Sequence, residues 1–139
     1  MPPMGLRARF KDVMDNFNSL SITNLGAYDE LVLKMDANVI LKKVLHPGSI
    51  VGVGNAKGYL DAHMKPLFPK FNVDLSKVTV QFLVGASDND ATYGQVYGPA
   101  TYVDQNGTSN NNIFFIHSFI RNDASEEWSL SDAFAYRTP

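Results

Sequence analysis

A chain of 139 residues suits one domain spanning 1–139 and leaves little room for a second. Hydrophobic residues make up 45%, enough for a real core, while a formal net charge of −2 with scattered Lys and Arg argues against nucleic acid, whose phosphates need clustered cations. With no cysteine there is no disulfide, thiolate metal site or cysteine nucleophile, and with no apolar run of spanning length and no signal-peptide pattern the expectation is a cytoplasmic protein with no membrane role.

Three helical segments come first. Leu6, Phe10, Val13, Met14, Phe17 and Leu20 recur at steps of three and four, which is one apolar face of a helix. Leu25, Tyr28, Leu31 and Val32 mark a shorter second helix. Val39–Val44 and Ser49–Val53 then read as a hairpin around the turn signal His46-Pro47-Gly48. Asn55 is the expected N-cap of a third helix, with Tyr59, Leu60, His63, Met64, Leu67 and Phe68 on one face. Pro66 should kink that helix and Pro69 end it.

After Pro69 the period changes from helical to alternating. Val78, Val80, Phe82 and Val84 alternate with Thr79 and Gln81, and Ser87–Asp90 is a polar turn. Ala91–Val103 predicts a long strand with a bulge or bend at Gly98-Pro99. Asp104-Gln105-Asn106-Gly107 is a hairpin turn, Ile113–Arg121 the most apolar strand, and Trp128–Tyr136 the last one. Helices gathered on one side of an antiparallel sheet make an α+β domain. The long strands should curl around the first helix into a cone, with a cavity where a ligand can sit.

Three stretches carry a resemblance. Val51-Gly52-Val53-Gly54-Asn55-Ala56-Lys57-Gly58-Tyr59-Leu60 resembles the approach to the third helix in the nuclear transport factor 2-like superfamily. That group includes the SnoaL-like cyclases, ketosteroid isomerases and scytalone dehydratases. Gly98-Pro99-Ala100-Thr101-Tyr102-Val103-Asp104 resembles its G-x-A-x-Y-x-D strand. Phe115–Asp123 followed by Trp128–Phe134 resembles its final hairpin, where a Trp opens the last strand. Many SnoaL-like members follow that Trp with His-x-His-x-Ser; here the matching positions hold Asp132, Phe134 and Tyr136. The resemblance implies a cone-shaped curved sheet wrapped around an N-terminal helix, with three helices. The fold hosts enzymes, binding modules and transport factors alike.

His117 is the sharpest candidate for chemistry. It lies between Phe115 and Phe119 in a period-two strand, so all three face one way. If Trp128 pairs opposite Arg121, a regular hairpin places His117 opposite Asp132. A carboxylate there fixes the imidazole tautomer and raises its pKa, which suits a general base. The competing reading is a packed histidine with a scaffolding partner. Asp36, near where isomerase-like relatives place a carboxylate base, is a second candidate; otherwise it serves a turn or cap. Phe115, Phe119 and Phe134, with Tyr28, Tyr59 and His63 from the helices, are the expected ligand contacts. Tyr93 and Tyr97 join them as oxyanion donors, or with Gln95 they form a dimer face. Three widely spaced histidines give no metal signature, and no cofactor is expected. The expected partners are a small apolar molecule and a second copy of the chain through the sheet.

Overall fold

Helix α1 (Leu6–Asn18) buries Leu6, Phe10, Val13 and Met14, the face its periodicity marks out. Each such side chain contributes roughly 1.5–3 kcal/mol by leaving water, so this one helix anchors the core. Its first turn is capped from elsewhere in the chain. Gly5, at the N-cap, has no side chain to offer, and Asp88 Oδ1 accepts the Leu6 amide at 2.8 Å. The computed structural model describes residues 3–20, 25–42, 49–63, 70–103 and 107–138, with the side chains of 25–28, 42, 49 and 59–63 left aside.

Helix α2 is Leu25–Leu33 and helix α3 Val53–His63. The strands are β1 (Met35–Lys42), β2 (Ser49–Val51), β3 (Lys70–Asn72), β4 (Thr79–Val84), β5 (Tyr93–Val103), β6 (Ser109–Ile120) and β7 (Ser129–Arg137). They form one strongly curled sheet in the order β2-β1-β7-β6-β5-β3, with β4 also on the β5 edge. The α+β cone around α1 is as expected. No helix among the described residues is long and apolar enough to cross a membrane.

Four local expectations are corrected. Asn55 is not the cap of α3: the helix starts at Val53, after Gly52 takes a φ of +93° that suits glycine. Asn55 instead donates from Nδ2 to the Val51 carbonyl at 2.8 Å. The β5–β6 ladder runs unbroken through Gly98↔Phe115 and Pro99↔Phe114, and its irregularity falls between Ala100 and Tyr102. Gly98 serves close approach, since a Cβ there would lie 2.9 Å from the Lys77 carbonyl oxygen. The sheet is also not wholly antiparallel, because β1 runs parallel to β7. Finally, Lys70–Asn72 is a strand the alternation does not announce. The expected turns at 43–48 and 104–106 and the prolines at 66 and 69 lie outside the described residues.

Arg121 links two turns of the sheet. Its guanidinium donates to the carbonyls of Ala91 (2.8 Å), Asp88 (2.7 Å), Ala124 (3.3 Å) and Glu126 (3.3 Å). It also lies 4.1 Å over the ring of the fully buried Trp128. One planar cation thereby ties the β4–β5 turn to the β6–β7 turn.

Candidate functional site on the inner wall of the cone

Alternation along β6 sends Ile113, Phe115, His117 and Phe119 toward α1, and all four are buried. His117 is 6% exposed and meets three aromatic rings. Ring centroids lie at 5.3 Å to Phe115, 5.6 Å to Phe10 and 6.2 Å to Phe71. Phe10 and Phe115 stack on each other at 5.2 Å. The box therefore draws on α1, β3 and β6.

Burial pushes the His117 imidazole down to a pKa of about 4, because removal from solvent penalises its charged form. At neutral pH it is an uncharged ring with one donor and one acceptor nitrogen. Nδ1 has no hydrogen-bond partner among the described residues. Leaving a buried polar atom unpaired costs roughly 1–3 kcal/mol, so this nitrogen calls for a physical reason.

The outer face of the sheet has a different character. Gln95 Nε2 donates to Ser118 Oγ at 3.2 Å, and the Ser118 hydroxyl bonds the Asp132 carboxyl. Burial pushes Asp132 up from its ordinary range, with the Ser118 bond opposing. Gln81 pairs with Gln95 in the β4–β5 register, so a polar row of Gln81, Gln95, Ser118 and Asp132 crosses four strands. Beside it runs an aromatic ridge, with Tyr97 to Phe114 at 6.2 Å and Phe114 to Tyr136 at 5.7 Å.

This sheet curled over one face of α1 matches solved structures along most of the chain. The fold is NTF2-like. An NTF2-like protein with a cystatin-like fold from Novosphingobium aromaticivorans aligns with a TM-score of 0.61 at 12% identity, over 94% of this chain and 80% of that one. A protein of Xanthomonas campestris provisionally assigned as a calcium/calmodulin dependent protein kinase II association domain aligns at 0.66 and 14% identity, over 95% and 84%. One from N. aromaticivorans provisionally assigned as a scytalone dehydratase aligns at 0.65 and 9% identity, over 96% and 82%. No family model and no curated protein matches the sequence.

Within this NTF2-like frame the expected His117–Asp132 pair does not form. The register near the turn is as expected, with Phe119↔Leu130 and Ile120↔Ser129. One extra residue, Ser131, then bulges from β7, and the ladder resumes with Ser118↔Asp132 and His117↔Ala133. A slip of one residue turns a side chain to the opposite face. His117 points inward, and Asp132 joins Ser118 outside.

The same slip relocates other candidates. Phe134 pairs with Ile116 on the outer face, not on the ligand wall. Tyr93 and Tyr97 also face outward, opposite Ile120 and Ile116. Asp36 lies on β1, where its Oδ2 accepts the Asn38 amide at 3.0 Å, a local side-chain-to-backbone bond. Phe115 and Phe119 line the inner wall. The backbones of Tyr28, Tyr59 and His63 lie on α2 and α3, but their side chains lie outside the described residues. Phe10 and Phe71 complete the box, and sequence reasoning did not place them there. Phe10 read only as core. Phe71 sits in a three-residue strand too short for alternation to reveal. Among the described residues, no three His, Asp or Glu side chains cluster as a metal site would require.

Proposed function

We propose that this NTF2-like chain binds a small, flat, apolar molecule inside the cone, against Phe10, Phe71 and Phe115, with His117 as its one polar anchor. The observation that carries this reading is the buried imidazole, packed beside the rings of Phe10, Phe71 and Phe115, whose Nδ1 has no hydrogen-bond partner among the described residues. An apolar pocket with one placed polar group is the usual make-up of a small-molecule site. A ligand hydroxyl or carbonyl would satisfy a nitrogen of this neutral ring, and the rings would cover its flat faces. Binding through an uncharged histidine needs no carboxylate partner, so the reading stands without Asp132.

The test compares 2-naphthol with naphthalene by isothermal titration against the wild-type chain and His117→Phe. The expected result is that 2-naphthol binds about tenfold tighter than naphthalene to the wild type, about 1.4 kcal/mol, and that His117→Phe removes the difference. Equal preference in both proteins, or no saturable binding of either probe, overturns the reading.

The outer face supports a second reading, association with another copy of the chain. The Tyr97–Phe114–Tyr136 ridge is an aromatic surface of the kind enriched at interfaces. Asp132 is the one ionisable carboxylate in its polar row, and no described side chain of that row is cationic.

A further inference from the structure

The junction between α1 and α2 holds a chain of polar side chains that neither reading above uses. Asn16 lies on the last turn of α1 and is 7% exposed, although its side chain is an amide. Its Oδ1 accepts a hydrogen bond from Lys34 Nζ, and its Nδ2 donates to Glu30 Oε2 at 3.1 Å. The same Lys34 ammonium lies 2.8 Å from Asp12 Oδ2, one turn before Asn16 on α1. Asp12 is also paired with Arg9, at 3.3 Å.

The lysine is held in place by its backbone. Its amide donates to the Leu31 carbonyl at 3.1 Å, and its carbonyl accepts the Leu130 amide at 2.9 Å. Its side chain is 16% exposed, low for a residue type that is mostly solvated. The result is an amine held against a side-chain carboxamide, with one carboxylate on the amine and another on the amide nitrogen. Those are the groups that a transamidation between two side chains requires.

We infer that Lys34 and Asn16 join covalently, through an isopeptide bond from Nζ to Cγ formed with release of ammonia. The step balances within these four side chains. The Asp12 carboxylate takes one proton from the Lys34 ammonium and leaves an amine. The amine's lone pair attacks Asn16 Cγ, the carbon next to the oxygen it already bonds, and the carbonyl π pair moves onto Oδ1. Glu30, already on Nδ2, relays a proton to it from the attacking nitrogen. Collapse of the oxyanion breaks the Cγ–Nδ2 bond, and the ammonia leaves with the proton that Asp12 held. The positive charge of the lysine departs as ammonium, and no oxidant or cofactor enters. Holding amine and amide together supplies the proximity that a reaction this slow in water lacks. The low exposure of Asn16 limits competition by water for Cγ.

Intact-mass spectrometry of the folded wild type, Lys34→Arg and Glu30→Gln, fresh and after prolonged incubation, tests the cross-link. The wild type should become one ammonia lighter than its sequence. Its tryptic digest should contain a branched peptide that joins the Asn16 and Lys34 segments, uncut after Lys34. Lys34→Arg, which keeps the charge beside Asp12, should hold its full mass. Glu30→Gln should lose ammonia about tenfold more slowly or less, the usual scale of a lost proton relay. A wild type that keeps its full mass overturns the inference. So does a loss of ammonia that persists in Lys34→Arg, since that is succinimide formation at an asparagine. A cross-link that forms in Glu30→Gln at the wild-type rate overturns the relay.

Discussion

Lowering the pH should destabilise this protein through His117 in a way that a single substitution removes. Burial holds the folded-state pKa at about 4, against 6.5 for the exposed ring. As pH falls, the unfolded chain takes up the proton first. Stability is therefore complete above about 6.5 and is lost progressively down to about 4. The gap of about 2.5 pH units corresponds to roughly 3 kcal/mol, of which about 2 kcal/mol is lost by pH 5. Other groups titrate in the same range. Asp74, Asp90 and Asp123 are held low by bonds to Ser76, Ser87 and Ser125, and their contribution is lost only in the ordinary carboxylate range and below. Asp132, pushed up by burial, works in the opposite direction. All of these, with His46 and His63, are common to the wild type and His117→Phe, so the difference between the two isolates His117. Phenylalanine keeps a flat ring among Phe10, Phe71 and Phe115 and removes the titrating nitrogen. Urea unfolding followed by fluorescence of Trp128, the only tryptophan, would be measured at pH 8 and pH 5. The wild type should lose about 2 kcal/mol more than the variant. Equal losses would refute the assignment of His117 as a buried neutral ring, as would an imidazole NMR titration midpoint at or above 6.5.

Arg121 and Asp88 each carry a stability prediction. Arg121→Met should cost roughly 3 kcal/mol in urea unfolding, because four carbonyls lose their shared donor. Arg121→Lys should recover little of this, since an ammonium cannot reproduce the planar fork that spans two turns. Asp88→Ala should cost about 1 kcal/mol as the remote cap of α1 is lost, and should speed amide hydrogen exchange at Leu6. Asp88→Asn, which keeps an acceptor oxygen, should retain most of the capping. An unchanged exchange rate in Asp88→Ala would refute the capping role.

How far the fold could be read depended on how local its causes are. The spacing of Leu6, Phe10, Val13 and Met14 is set within one helix, and the buried face is the one it marks. The alternation Phe115-His117-Phe119 is set within one strand, and those side chains do line the core. The parallel β1–β7 junction joins residues nearly a hundred positions apart, and no local pattern encodes it. Strand β3 is held by pairing with β5 and by its backbone's bonds to Asn18, not by its own sequence. The site was misread for a narrower reason. Counting back from the β6–β7 turn gives the right register at Phe119↔Leu130, and the count fails at Ser131. A volume argument would have found the slip. A regular hairpin would send Asp132, Phe134 and Tyr136 inward, onto a wall already filled by Phe115 and His117. The bulge sends Ala133 and Ala135 there instead, small residues opposite His117 and Phe115. Small-against-large pairing is what a packed interior demands. The same residue that lets the core close also carries the carboxylate away from the imidazole. That leaves a neutral ring among aromatics on one side of the sheet and a single carboxylate among amides and hydroxyls on the other.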